Sequence, residues 1–308
     1  MKDLRKIHVV CIGGGPAGLA TALWCRDLGL EVLILERAYT PGGQLGIIYN
    51  QIANYLGVET VDGTGLRDIF LKQLGEASEY IRPGSEAVSI NPDPLSVCLS
   101  TGELLGCVAI IIATGVRRRT LGVPGENEFA ERGVLRSGAG SRDEMAGKNV
   151  VIVGGGDAAV ENALILSEKA RKVTLVHRRA HLTARADFVE QAATNSKIDF
   201  RLSSVVTEII GQERVSGVAI SSSDGDAEVI EADAVLVRVG WQPNSELVAR
   251  DVDLDENGYI IADAEGRTSL ANVYAIGDVR RPLSPTIAAA VGDAASAIKA
   301  IVAAQSTC

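Results

Sequence analysis

Gly13, Gly15 and Gly18 are spaced Gly-x-Gly-x-x-Gly, directly after the apolar run Ile7 to Ile12 and at the start of a helix-forming stretch, Pro16-Ala17-Gly18-Leu19. Each glycine has its own task there. Gly13 permits the tight turn, Gly15 lets backbone N–H groups approach a pyrophosphate, and Gly18 lets helix and strand pack closely. The helix N-terminus behind them carries partial positive charge and faces the phosphates. Glu36 ends the next apolar run, where its carboxylate can accept hydrogen bonds from a ribose diol. Together these residues make an adenosine diphosphate site.

The same design recurs at Gly154-x-Gly156-x-x-Ala159, with Asp157 and Ala158 inside the turn. Here no acidic residue occupies the ribose position. The segment from His177 to Arg185 instead holds Arg178, Arg179 and Arg185 and no carboxylate. Arginine binds a phosphate by bidentate, charge-assisted hydrogen bonds, so this cluster points to the 2′-phosphate of NADPH. Two dinucleotide sites with different ribose chemistry imply a flavoprotein in which one site holds FAD and the other delivers hydride from NADPH. No triad, carboxylate pair or metal cluster stands out, and no metal is expected. Of the three histidines, His8 lies in the first strand, His177 belongs to the NADP strand, and His181 follows it. The five cysteines, Cys11, Cys25, Cys98, Cys107 and Cys308, include no Cys-x-x-Cys and no zinc spacing. Cys11 and Cys25 sit in apolar stretches as small core residues, and Cys98 and Cys107 could face each other across a meander, although the plainer reading is two packed thiols.

The elements that must position these residues follow from the pattern. Strands are expected at Ile7 to Ile12 and Val32 to Leu35 around a helix from about Pro16 to Leu28. The second unit repeats this with Asn149 to Val153, a helix from about Ala158 to Lys169, and Val173 to His177. Shorter β runs follow each unit: Glu86 to Ile90, Leu95 to Leu99 and Val108 to Ala113, then Val215 to Ser221, Ala227 to Ile230 and Ala234 to Val239. An Ala-rich helix, about Thr286 to Ala304, closes the chain. The fold class is α/β with two Rossmann-like, three-layer ββα dinucleotide-binding domains. The FAD domain takes residues 1–116 and 246–308, and the NADP domain takes 117–245. A length of 308 residues suits two domains. Aromatic residues are only 4%, so the core must be built from Ala, Val, Ile and Leu. A net charge of −9 argues against a general nucleic-acid binder. The longest apolar run, Val108 to Ala113, is far short of a membrane span, and no secretory signal precedes the first strand, so a cytoplasmic protein without membrane partners is expected.

Across nearly its whole length the sequence resembles the low-molecular-weight thioredoxin reductases. The shared motifs are Gly13-x-Gly15-Pro16-Ala17-Gly18, Gly42-Gly43-Gln44-Leu45, Ala113-Thr114-Gly115, the Gly154 turn, His177-Arg178-Arg179 and Tyr274-Ala275-Ile276-Gly277-Asp278. The resemblance implies FAD on the first domain, with Glu36 on the adenosine ribose, Gln44 and Asn54 near the flavin, and Asp278 at the ribityl or pyrophosphate region. Val88, Gly43, Leu45 and Gly277 join that cofactor-binding set. The final helix, opening at Thr286-Ile287, would aim its N-terminus at the flavin O2. The family is dimeric, and its two domains rotate relative to each other.

The chain departs from that family where disulfide chemistry is done. The family's Cys-x-x-Cys follows an Arg-Gly-Val sequence. Here Arg132-Gly133-Val134 leads to Ser137 and Gly140 at the two cysteine positions. Neither can exchange a disulfide, because the reaction needs a thiolate sulfur. Tyr49, after Gly43-Gln44-Leu45, resembles the flavin-stacking tyrosine of the thioredoxin-reductase-like ferredoxin/flavodoxin–NADP reductases, which also lack Cys-x-x-Cys. Their C-terminal extension is not evident here. The expectation is an NADPH-dependent FAD oxidoreductase that passes electrons to a small carrier such as ferredoxin or flavodoxin. Arg117, Arg118, Arg119, Arg132, Arg136, Arg280 and Arg281 are candidates for a basic docking patch. The alternatives are reduction of a disulfide protein or a small disulfide by a non-standard thiol route, for example through Cys308, and a slow nucleotide-sensing flavoprotein.

Overall fold

A computed structural model describes residues 7–59, 61–280 and 283–305. The chain forms two compact units, Met1–Arg117 with Gln242–Cys308, and Arg118–Trp241.

In the first unit four parallel strands lie in the order Ile81–Pro83, Val32–Glu36, Ile7–Ile12, Leu104–Ile112, and Val273–Ala275 adds to the last of these. Leu104–Ile112 is long enough to serve two sheets. Its early part pairs antiparallel with Leu95–Leu99, which pairs with Ala87–Pro92. The unbroken apolar run of the first strand has a direct cause. Val9 and Cys11 are buried among the helices Pro16–Asp27 and Ile287–Gln305, while Val10 and Ile12 are buried against the meander side. A parallel strand covered on both faces needs no polar alternation.

The second unit repeats the plan. Its parallel sheet runs Ile198–Arg201, Lys172–Val176, Asn149–Val153, Ala234–Val237, Val134–Leu135. Val150 and Ile152 face the helix Asp157–Ser167, and Val151 and Val153 face the antiparallel strands Ser204–Gly211, Val215–Ser222 and Ala227–Glu231.

The fold class read from the sequence therefore stands, with element ends moved by a few residues. One alternative fails and one expectation is corrected. Cys98 lies opposite Leu104, and Cys107 lies beside Ile7, so the two thiols are not cross-strand partners. The final helix, 19 residues with mean hydropathy 1.6, is long and apolar enough to cross a membrane by length and composition alone. Counting unbroken apolar runs missed it, because Gly292, Asp293, Ser296 and Lys299 interrupt the run while its alanines keep the mean high. Ala290, Ala294, Ala297, Ile298 and Ile301 are buried in the same core cluster as Leu19 and Cys25, so this is a core helix.

Candidate functional site

The first glycine turn is shaped by what glycine lacks. Gly13 has φ of +115°, and a Cβ there would lie 2.3 Å from the Ala113 carbonyl oxygen. A Cβ on Gly18 would lie 1.9 Å from the Gly13 carbonyl oxygen, so the helix can sit this close to the turn only without a side chain. Gly15 differs: its Cβ direction is open, with Gly43 Cα the nearest atom at 4.0 Å. Gly42 N donates to Gly14 O at 2.8 Å, which holds the Gly42-Gly43 turn against this opening. Pro16 opens the helix, and no side chain caps it. The first-turn amides are thus left for a ligand in a cradle that a side chain on Gly15 would fill, which is what a pyrophosphate requires.

Glu36 is 8% exposed and fixed at both oxygens: Gly14 N donates to Oε2 and Ala38 N to Oε1, each at 2.8 Å. It lines a cavity of about 390 Å³ together with Gly13, Arg37, Val88, Thr114 and Glu246. Thr114 Oγ1 donates to Asn244 O at 2.6 Å, Asn244 Nδ2 returns a bond to Thr114 O at 2.8 Å, and Asn244 N donates to Gly115 O at 2.9 Å. Asn244, Glu246 and Arg37 were not singled out from the sequence. Asn244 lies in a stretch that reads as a crossing between domains, and only the fold brings it to the Ala113-Thr114-Gly115 turn.

Next to the Gly42-Gly43 turn, Gln44 Nε2 lies 3.5 Å from Asp278 Oδ2. Burial, and the negative charge of Asp293, push the Asp278 carboxyl above the usual carboxylate range, and the Gln44 bond opposes this. Asp293 itself accepts from Arg280 Nη2 at 2.7 Å and from Gly277 N at 2.9 Å. A Cβ on Gly277 would lie 3.2 Å from Ala17 Cβ, so the Gly277-Asp278 turn adjoins the first helix. Thr286 caps the final helix: its Oγ1 accepts from Ala289 N at 3.2 Å. Leu45 points away from any solvent, into an apolar cluster with Ile52 and Leu66 on which Ile287 also packs. Tyr49 is 53% exposed, and Asn54 is exposed.

The second turn uses the same devices. Gly154 has φ of +144°, and a Cβ there would lie 2.2 Å from Arg238 O and 3.1 Å from Ala159 Cβ. Gly156 again faces open space, with Thr183 Oγ1 the nearest atom at 3.8 Å, and no side chain caps the helix behind it. His177 lies under Gly155, buried, with its Nε2 unpaired among the described residues. Burial, reinforced by Arg179 and Arg178 against a hydrogen bond involving the His181 backbone, holds its pKa below the ordinary histidine value. Arg178 and Arg179 are exposed with no ion-pair partner among the described residues. Arg185 is engaged: it lies 3.7 Å from Asp157, 3.8 Å from Asp187 and 4.0 Å from the Phe188 ring centroid. The stretch from His177 to Arg185 holds no carboxylate, but folding brings two onto its last arginine.

The model for the family described as pyridine nucleotide-disulphide oxidoreductase matches residues 7–305. This chain belongs to that family. Among curated relatives, a thioredoxin reductase of Listeria monocytogenes is 35% identical over 299 residues, covering 95% of this chain and 92% of the relative. Among solved structures, thioredoxin reductase of Lactococcus lactis matches with a TM-score of 0.83 at 32% identity, covering 97% of this chain and 98% of that one. T. acidophilum thioredoxin reductase matches with a TM-score of 0.81 at 30% identity, covering 98% of this chain and 99% of that one. The chain is thus a thioredoxin reductase-like flavoprotein oxidoreductase with two nucleotide-binding domains, from a family that binds FAD and NAD(P)H.

Within this disulphide oxidoreductase family the stretch after Val134-Leu135 is the notable one. Ser137 caps a single helical turn, Gly138–Ser141, its Oγ accepting from Gly140 N at 3.1 Å. Gly138 N donates to Asn162 Oδ1 at 3.1 Å, and a Cβ on Gly138 would lie 2.1 Å from that oxygen. The turn is well built and holds no sulfur. Elsewhere Cys11, Cys25 and Cys107 are buried, and burial pushes the Cys25 and Cys107 thiols up to about 12 and Cys11 higher still. Cys98 is half-buried. Cys308 lies outside the described residues, as does Arg281. Three arginines of the expected basic patch are ion-paired. Arg117 pairs with Glu246, Arg136 with Glu131 and Arg280 with Asp293, while Arg132 is bonded to the carbonyls of Glu128 and Glu213.

Proposed function

We propose that this chain is an NADPH-dependent FAD oxidoreductase that hands electrons to a small redox carrier, ferredoxin or flavodoxin, without a thiol relay. Bound NADPH supplies the reducing equivalents and bound FAD converts them to electrons that can leave singly. In this reading residues 1–116 and 246–308 hold FAD. The Gly13-Gly15-Gly18 turn takes its pyrophosphate, Glu36 its adenosine ribose, and Gln44 with Asp278 its ribityl end. Residues 117–245 hold NADPH, with Gly154, Gly156 and the helix from Asp157 on its pyrophosphate and Arg178 and Arg179 on its 2′-phosphate. Arg185, already paired with two carboxylates, has the smaller share. Thr286 and Ile287 present the last helix to the flavin, and Tyr49, exposed and without a ring partner among the described residues, is available to stack on it. The working unit in this reading is a homodimer, as the family resemblance implies.

The observation that carries the reading is the Ser137–Gly140 turn, which keeps its capped geometry with no group able to relay electrons as a dithiol. The acceptor must then meet the flavin itself. Arg117, Arg136 and Arg280 of the expected patch are ion-paired, and Arg118, Arg119 and Arg132 have no carboxylate partner among the described residues, so attraction to an acidic carrier rests on few charges and the rate should fall only modestly with added salt. The test is steady-state reduction of a panel of ferredoxins and flavodoxins by NADPH. Turnover of at least one carrier supports the proposal. Turnover of disulfide substrates alone contradicts it.

A further inference from the structure

In each unit the chain leaving the second strand loops back onto its glycine turn, and one atom sets the two loops apart. In the first unit Gly42 N donates to Gly14 O at 2.8 Å, and in the second Thr183 N donates to Gly155 O at 2.7 Å. Gly14 and Gly155 hold the same place in their turns, so the two closures are equivalent. The open Cβ directions of Gly15 and Gly156 are bordered differently. The nearest atom to the first is Gly43 Cα at 4.0 Å, and the nearest to the second is Thr183 Oγ1 at 3.8 Å. The first cradle is thus bordered by bare backbone and the second by a hydroxyl.

The local sequence explains why that hydroxyl stands there. Leu182 and Ala184 pack on the apolar cluster of the second unit, while Thr183 between them is exposed. Two residues further, Arg185 N donates to Asp157 Oδ1 at 2.7 Å, which ties the loop to the first residue of the helix Asp157–Ser167. The Arg185 side chain lies toward Asp157, Asp187 and the Phe188 ring. Thr183 Oγ1 donates to Gly155 O at 3.2 Å, an acceptor already served by Thr183 N at the shorter distance. The hydroxyl hydrogen can therefore turn to an anion in the cradle without leaving that carbonyl unpaired, and a bond to a charged acceptor is stronger than the neutral one it replaces.

We propose that Thr183 is a dinucleotide-binding residue, whose hydroxyl donates to the pyrophosphate in the Gly156 cradle and is held in place by the Asp157–Arg185 backbone bond. The proposal rests on the reading of the second unit as the NADPH site. It also divides the labour within one loop. Arg178 and Arg179, at its start, serve the 2′-phosphate that only NADPH carries, whereas Thr183 serves a group common to NADPH and NADH.

The test is calorimetric titration of the FAD-loaded full chain with NADP⁺ and with NAD⁺, alongside thermal unfolding of each variant without nucleotide. Thr183→Val removes the hydroxyl at nearly constant shape. It should weaken the binding of both dinucleotides by the same factor, about tenfold or more, so that the preference between them is unchanged. Thr183→Ser keeps the hydroxyl and should bind both as the wild type does. The Tm of Thr183→Val should stay close to that of the wild type, because the bond from the residue 183 amide to Gly155 O remains; Thr183→Ala provides the same binding test if valine lowers the Tm. Wild-type affinity for both dinucleotides in the hydroxyl-free variants overturns the proposal. A loss confined to NADP⁺ also overturns it, by moving the hydroxyl to the 2′-phosphate. A wild type that binds neither dinucleotide overturns the NADPH reading and the proposal with it, whereas a wild type that binds while the variants bind equally well removes the proposal alone.

Discussion

In the proposed reading Gly15 and Gly156, whose Cβ directions are open, leave free the space a pyrophosphate would occupy. Gly15→Val should fold yet purify with little FAD, measured as the ratio of flavin to protein absorbance, and full loading of that variant would contradict the site. The Arg178 and Arg179 forks are exposed and without ion pairs among the described residues, so each is available for charge-assisted bonds of about 1.5–3 kcal/mol. Replacing both by Ala should cut the preference for NADPH over NADH by roughly one to three orders of magnitude in kcat/KM. His177 gives a pH prediction. Its folded pKa is depressed by burial below the unfolded value, so the unfolded chain binds a proton that the folded chain refuses. Stability is then fully present above the unfolded pKa of about 6.5 and falls as the pH drops below it. His177→Gln should flatten that part of the Tm–pH curve. At this scale much was legible: glycine spacing and the residue ending the next strand are local signals. Asn244 and the carboxylates on Arg185 were not, because they arrive by folding.

At the scale of elements, the strands were legible because a strand buried on both faces leaves an unbroken apolar run, as Val9 to Ile12 does against two separate clusters. The starts of the helices after Gly15 and Gly156 were read to within a residue, because the glycine turn marks them, whereas the strand read from Val108 begins at Leu104. The last helix shows how run-counting fails when alanine carries the hydropathy. Ala294 and Ala297 are wholly buried in its contact with the first helix. Ala294→Leu should therefore overpack that contact and cost roughly 1–3 kcal/mol in urea unfolding, whereas Lys299→Ala on the same helix should be close to neutral. Equal stability of the Ala294 variant would show that this face is not packed as described.

For the whole molecule, the repeated glycine turn made the two-domain plan readable from sequence, and the family match over residues 7–305 agrees with it. The electron acceptor is not legible in the same way, because a surface that meets a carrier needs no fixed motif, whereas a dithiol does. What the sequence does specify is an absence at one defined place: Ser137 and Gly140 form a capped turn where the resemblance puts a redox pair. The most direct test replaces all five cysteines and measures NADPH-dependent reduction of the carrier alongside anaerobic flavin reduction. Both rates should match those of the wild type. Loss of carrier reduction while NADPH still reduces the flavin would establish a thiol relay and contradict direct transfer from the flavin.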